Sequence, residues 1–259
     1  MKPIITIATV TYNAETTLER TLQSVASQDY VRIEHLIIDG CSTDHTLSLV
    51  QRYVERNQAR HNIRLICEPD SGLYDAMNKA LLNATGDYIV FLNAGDCLHS
   101  TDTISAVVQK TGWVKGSQRH PAILYGDTHL VDNEGNFLRR RRLTPPDKLT
   151  PDTFLDGMRV CHQSFYVRTD LARGELYDLQ YHYSADFDWC IRIIRRATRR
   201  RFRIVNTHLV LTDYLNEGMT THNHWASLLE RFRIMAHYYG WPKTVSKHLW
   251  FVIRAIIKK

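Results

Sequence analysis

Tyr88-Ile89-Val90-Phe91-Leu92-Asn93-Ala94-Gly95-Asp96 is the stretch on which the reading of this chain turns. Five residues of strand-type composition stop at a small polar turn that holds one carboxylate. Ligands of open α/β sheets bind outside the carboxyl ends of the strands. An Asp there, with Ala94 and Gly95 leaving room beside it, is placed to hold a divalent cation against a diphosphate. An ordinary Asn/Gly/Asp turn has the same composition, so the flanking sequence has to decide.

Upstream, the pattern alternates. Residues 4–10 form an apolar strand, and residues 15–28 carry Leu18, Leu22, Val25 and Ala26 on one helical face. A second apolar run at 33–38 leads to Ser42-Thr43-Asp44, good helix-capping residues, and to a helix with Leu47, Val50 and Val54 on one side. Residues 63–67 form a third strand. Residues 75–84 form a helix that turns Met77, Ala80, Leu81 and Ala84 inward, with Gly86 suited to a left-handed stop. A βαβαβαβ order implies a mostly parallel sheet with right-handed crossovers, flanked by helices. Beyond Asp96 the expectations are a helix at 101–110, a strand at 122–125, a turn at 133–136 and an exposed loop around the arginines 139–142. Residues from Trp225 onward read as helical.

The chain has 259 residues, 44% hydrophobic and 23% charged, which suits one large α/β domain with an appendage. Its formal net charge of +6 points to an anionic partner: a nucleotide, a nucleic acid or an anionic membrane surface. The first residues enter strand-like sequence directly, without the pattern of a secretory leader. No window approaches the apolar length of a membrane span. Five cysteines with no CxxC pair fit reduced thiols, so a cytoplasmic location is expected. Thirteen histidines read as scattered surface and loop residues, since His222 and His224 lack zinc-ligand spacing.

Each early strand ends in a polar cluster. Thr9-Val10-Thr11-Tyr12-Asn13 follows the first, Asp39-Gly40-Cys41-Ser42-Thr43-Asp44 the second, Glu68-Pro69-Asp70-Ser71-Gly72 the third and Asn93-Ala94-Gly95-Asp96 the fourth. In a parallel sheet all four lie along one edge, a nucleotide-sized site built from four loops. No GxGxxG follows the first strand, which disfavours a dinucleotide oxidoreductase, and no GxxxxGK[ST] marks a P-loop. Diphosphate charge then falls to a metal and to Lys79.

These strings, with Asp70-Ser71-Gly72-Leu73-Tyr74-Asp75-Ala76-Met77-Asn78-Lys79-Ala80 and Gly86 to Asp96, resemble the family 2 glycosyltransferases, in particular the bacterial branch that builds polysaccharides such as colanic acid. The resemblance is strong over residues 4–96 and thinner to about 195. It implies a GT-A fold and transfer of a sugar from a nucleoside diphosphate, expected to be uridine-based, with inversion at the anomeric carbon. It implies a donor half over about 1–98, an acceptor half over about 99–215 and a basic, amphipathic helical extension over 216–259. Carried over by position, Thr9, Thr11, Tyr12 and Asn13 contact base and ribose, Asp39 accepts a hydrogen bond from the base, and Asp70, Gly72, Asp75 and Lys79 lie beside the donor, as do Asn93, Ala94 and Gly95. Asp96 is the metal-binding Asp of the DXD motif, holding Mg²⁺ or Mn²⁺. Ala94 stands where the family usually has the first Asp, so one carboxylate anchors the cation mainly through the diphosphate.

Ser184-Ala185-Asp186-Phe187-Asp188-Trp189 resembles the family's ED-type motif, which makes Asp186 the base that takes the acceptor hydroxyl proton; Asp188 is an alternative base or a supporting residue. A carboxylate at a helix N-terminus is also a common cap. His162-Gln163 resembles a family segment facing the diphosphate or acceptor, and Tyr125-Gly126-Asp127 a turn on the acceptor side, where a plain turn fits equally well.

Basic runs at 139–142 and 195–203 usually mean a solvated face. The C-terminal stretch from Lys247 to Lys259 is apolar, aromatic and basic, suited to an anionic membrane interface or to a helix packed on the domain or in a homodimer. Membrane contact would suit a lipid-linked saccharide acceptor. Two other functions remain open at this point. A nucleotidyltransferase would need a Gly-rich triphosphate loop. A basic nucleic-acid-binding module is opposed by the acidic loops, and no nucleic acid partner is expected.

Overall fold

A computed structural model of the chain describes residues 2–114, 117, 119–216 and 224–257. The early alternation of apolar runs and amphipathic segments becomes β1 (Ile5–Thr11), α1 (Leu18–Ala26), β2 (Ile33–Asp39), α2 (Thr46–Asn57), β3 (Asn62–Cys67), α3 (Leu73–Asn83) and β4 (Tyr88–Phe91). The sheet order β3-β2-β1-β4 is parallel throughout, as helical crossovers require. Successive residues of β4 serve opposite faces: Ile89 and Phe91 join the core under α3, while Tyr88 and Val90 join the core on the other side. A strand buried on both faces reads as an unbroken apolar run, which is why this one was visible in the sequence.

The second half is built differently. β5 (Cys97–Leu98), α4 (Thr103–Thr111), β6 (Ile123–Val131), β7 (Phe137–Arg140), β8 (Phe165–Arg168), α5 (Thr169–Ala172), α6 (Ala185–Arg199) and β9 (Ile204–Leu215) extend the same sheet as β4-β8-β6-β9-β5, with β7 paired to β6. Here β8 runs antiparallel to both neighbours, and β6 and β9 are parallel. The helices α7 (His224–Tyr239) and α8 (Trp241–Ile257) follow. α7 buries Ile234 and Met235 in the core beneath α6. Among the described residues no helix is long and apolar enough to cross a membrane.

Several local expectations are corrected. Gly86 is not a left-handed helix stop; a Cβ there would lie 2.6 Å from Thr6 Oγ1 and 2.9 Å from the Ile4 carbonyl, so close backbone approach demands glycine. Residues 125–127 are not a turn but the middle of β6, where its register with β9 shifts. The arginines at 139 and 140 lie in β7 rather than in a loop. β9 was not anticipated, because polar residues such as Asn206, Thr207, His208 and Asp213 interrupt its apolar pattern. Of the sequence features singled out, His222, Lys258 and Lys259 lie outside the described residues.

One buried carboxylate stitches the parallel half together. Glu34 of β2 is fully buried and accepts from Thr6 Oγ1 at 2.6 Å, Thr85 Oγ1 and N at 2.7 Å, Gly86 N at 3.2 Å and Arg64 Nη1 at 3.0 Å. Burial pushes its carboxyl up, but these donors outweigh it and hold the group below the ordinary range. Its contribution to stability is therefore present above the ordinary carboxylate pKa and lost as pH falls through the lowered folded-state value. Glu34→Ala should cost about 1–3 kcal/mol by leaving buried donors unpaired, and should flatten the acid limb of Tm against pH. An unchanged acid limb in the variant would show that other carboxylates govern it.

Candidate active site

The carboxyl ends of β1 and β4, the loop after β3, the segment before β8, the start of α6 and the middle of α7 enclose a cleft of about 800 Å³. Its floor is the turn after β4. Gly95 adopts φ 99°, a conformation that favours glycine, and its N–H donates to Thr21 Oγ1 at 2.9 Å. This throws Asp96 inward, where it is 4% exposed. Asp96 Oδ1 accepts from the Leu215 N–H at 3.0 Å and Oδ2 from Gln163 Nε2 at 2.9 Å. Burial raises its pKa to about 6, against the opposing pull of those donors and of the His162 and Arg20 charges.

Opposite lies a second carboxylate. Asp186, at the start of α6, accepts from His162 Nδ1 at 3.1 Å, from the Tyr74 hydroxyl at 3.2 Å and from the Phe187 N–H at 2.9 Å. Burial pushes its pKa up, but the His162 hydrogen bond and charge, the Arg231 charge and the Phe187 N–H hold it below the ordinary carboxylate value. Asp186 is thus an anion near neutrality. His162 also meets Asn93 Nδ2 through Nε2 at 3.3 Å. A carboxylate can only accept, so Nδ1 carries the proton that faces Asp186. The chain Asn93–His162–Asp186 therefore connects the floor of the cleft to its far wall.

The structure brings Thr11, Tyr12, Asn13, Asp70, Gly72, Asn93, Ala94, Asp96, His162, Gln163 and Asp186 into the cleft lining. Asn13, at φ 47°, accepts from the Thr43 N–H at 2.8 Å, lacing the loop after β1 to the loop after β2. Asp39 does not line the cleft: it is buried and accepts from the N–H and hydroxyl of Ser42 at 2.8 and 2.6 Å. The next residue adjoins the cleft, for a Cβ on Gly40 would lie 2.5 Å from Asp70 Oδ2 and 3.3 Å from the Tyr12 ring. Thr9 is also buried, its hydroxyl 3.0 Å from His35 Nε2. Asp75 accepts from the Ser71 N–H at 2.9 Å, and Lys79 pairs with Glu68 at 3.3 Å; both brace the loop that presents Asp70. Asp127, in β6, accepts from the Thr128 N–H. Asp188 is buried away from the cleft, with Oδ2 2.8 Å from Arg192 Nε and Oδ1 2.7 Å from the Tyr238 hydroxyl.

Sequence reasoning missed Arg141, Arg231, Tyr74 and Tyr214, which also line the cleft. Arg141 belongs to a run read as solvated, and Arg231 to a helix read as an appendage. Nothing short of the tertiary arrangement distinguishes them from their exposed neighbours. The Nε of Arg231 is buried without a hydrogen-bond partner, leaving a donor for an anionic ligand.

Residues 6–171 match the family described as glycosyl transferase family 2. The chain belongs to that family. It is 31% identical over 219 residues to a PGL/p-HBAD biosynthesis glycosyltransferase of Mycobacterium bovis, a match covering 83% of this chain and 78% of the relative. Its fold is similar to that of S. aureus TarS in complex with UDP, with a TM-score of 0.65 at 19% identity over 91% of this chain and 65% of TarS. It is similar also to a mannosyltransferase of Pyrobaculum calidifontis in complex with GDP-Man and Mn²⁺, with a TM-score of 0.63 at 19% identity over 95% and 74% of the two chains. The chain thus spans about two thirds of the TarS chain it matches, and the GT-A fold expected from the sequence is the one observed.

The two carboxylates of α6 have separable tasks. Asp188→Ala should lower stability by about 1–3 kcal/mol, because the Arg192 and Tyr238 donors lose a buried acceptor. Denaturant titration of that variant beside Asp186→Ala checks this; equal losses in both would mean that the two residues do the same structural work.

Proposed function

We propose that the protein is an inverting glycosyltransferase that moves a sugar from a nucleoside diphosphate, a uridine diphosphate by the resemblance above, to a saccharide or lipid-linked saccharide of a cell-surface polymer. The observation that carries this reading is an ionised base, Asp186, facing Asp96 across a cleft walled by the loops after β1, β3 and β4. The donor half, about residues 1–98, holds the nucleotide: Tyr12, 62% exposed at the cleft mouth, offers its ring to the base, and Asp70 its carboxylate to the ribose. Arg141 and Arg231 oppose the diphosphate charge, the task that Lys79 cannot perform from its place beside Glu68.

The site also suits a hard divalent cation. Asn93 Oδ1 is buried with no hydrogen-bond partner, and the Asp96 carboxylate keeps lone pairs beyond those used by Leu215 and Gln163. Two oxygen donors, with phosphate oxygens completing the shell, are what Mg²⁺ or Mn²⁺ takes. When bound, the cation neutralises charge that develops on the leaving diphosphate. The residues of this chain do the rest. Asp186 accepts the acceptor hydroxyl proton as the oxygen attacks the anomeric carbon from the face opposite the departing phosphate oxygen, which inverts that centre. His162 and Tyr74 hold the carboxylate in position, and His162 with Arg231 keeps it ionised until the proton arrives.

The acceptor's lipid suits the C-terminal helices. Trp241 and Leu249 of α8 are 65% and 60% exposed one helical face apart from the core, with Val245 between them, and Lys243 lies alongside. A row of exposed apolar and aromatic side chains with basic flanks seats an amphipathic helix at an anionic bilayer surface.

Two measurements test this reading. Asp186→Asn and Asp96→Ala should each lower sugar transfer by about 100-fold or more with the fold intact, and chelation should abolish transfer until Mg²⁺ or Mn²⁺ returns; near-normal turnover in both variants refutes the site. Sedimentation with vesicles rich in phosphatidylglycerol should capture the protein at low salt, and Trp241→Asp with Leu249→Asp should release it. Equal capture of that double variant would remove α8 from membrane contact.

A further inference from the structure

Outside the cleft, three side chains of metal-ligating type meet on the strands that support its floor. Asp213 of β9 stands opposite Cys97 of β5 on one side and His129 of β6 on the other. His99 follows β5 and is pinned by its N–H to the Leu211 carbonyl at 3.2 Å. Backbone ladders thus fix all three positions before any side-chain contact is considered. The Nδ1 of His99 lies 2.8 Å from Asp213 Oδ1, and the Nδ1 of His129 lies 4.0 Å from the same oxygen. One ligand atom from each residue falls within 4.8 Å of the other two.

The two imidazoles meet edge to face, with centroids 4.9 Å apart and planes at 83°. The Phe137 ring backs His129 at 4.7 Å, and His129 Nε2 is buried without a hydrogen-bond partner. The His129 nitrogen turned toward Asp213 is Nδ1, so an ion between them would take the Nδ1 lone pair and leave the ring proton on Nε2. Ligand atoms around a tetrahedral zinc ion stand roughly 3.3 Å apart, given bonds near 2.0–2.1 Å. Small side-chain rotations therefore bring this trio to bonding distance.

We propose that His99, His129 and Asp213 bind a first-row transition ion of the zinc class, with water in the remaining position. Imidazole nitrogen suits zinc far better than magnesium, which keeps to oxygen. The site is thus chemically distinct from the oxygen-lined place beside Asp96 and Asn93. Its position gives it a consequence. His99 is three residues after Asp96, and Asp213 is two residues before Leu215, whose N–H holds the Asp96 carboxylate. An ion here ties β5, β6 and β9 together directly behind that carboxylate and stiffens its support.

The test is equilibrium dialysis of zinc against the full chain in excess Mg²⁺, with Tm followed in parallel. The wild type should bind one zinc ion tightly and gain thermal stability. His99→Ala changes an exposed side chain and Asp213→Asn keeps a neutral acceptor, so both variants should fold; each should weaken zinc binding by about 10–100-fold or more. Asp96→Asn should leave zinc binding intact, and zinc-edge anomalous scattering should place the ion among the three residues. Absence of tight zinc binding by the wild type overturns the proposal. So does binding that survives both His99→Ala and Asp213→Asn, or that disappears in Asp96→Asn alone.

Discussion

The cleft depends on keeping a carboxylate charged and correctly aimed where water is nearly absent. Asp96 is almost fully buried, and the pKa of about 6 records the resulting tension: desolvation favours the neutral acid, while the Leu215 N–H and the Gln163 amide favour the anion. Both donors come from the second half of the chain, whereas Asp96 ends the first. The halves of the sheet therefore cannot be treated as separate supports for separate substrates. The strand β9, which carries Leu215, completes the environment of the carboxylate that follows β4.

The same logic governs the opposite wall. Asp186 is held low by His162, and His162 is oriented by Asn93, which sits in the same turn as Asp96. A change at Asn93 thus reaches the Asp186 carboxylate through one imidazole. Two carboxylates in one cleft would repel each other and any incoming anion. Arg231, close enough to lower the Asp186 pKa, and Arg141 offset that repulsion. Asp188, two residues along α6, points the other way and ties the helix to α7 through Tyr238. Since α7 carries Arg231, a contact that looks purely structural also positions a cation in the cleft.

What could be read from the sequence follows from how local each signal is. Three of the parallel strands, β1, β2 and β4, were legible because both of their faces are buried; the edge strand β3 is only partly buried but keeps a short apolar run, and the polar loops at the strand ends follow directly by alternation. Asp70, Asp96, His162 and Asp186 lie in short strings whose chemistry is visible without a fold. Asp39 and Lys79 lie in equally conspicuous strings, yet their side chains turn to Ser42 and Glu68, a choice made by loop geometry that spacing does not encode. β9 escaped because its half-polar sequence is a strand only beside β6. The trio of His99, His129 and Asp213 escaped for the same reason: 30 and 84 residues separate its members, and only strand pairing makes them neighbours.

The basic character of the chain resolves along the same line. A net charge of +6 spread over a surface would favour any polyanion. Two of the six arginines at 195–203 are instead committed: Arg195 donates to the Tyr238 carbonyl at 2.7 Å and lies over the Tyr238 ring, and Arg196 pairs with Glu175 at 2.9 Å. Those arginines hold α6 against α7 and the segment before α6, which reduces what is left for a nucleic acid backbone. Arg141 and Arg231, by contrast, sit inside a concave site of limited volume beside two carboxylates. These two arginines are thus placed against a compact ligand, whereas the net charge alone named no partner.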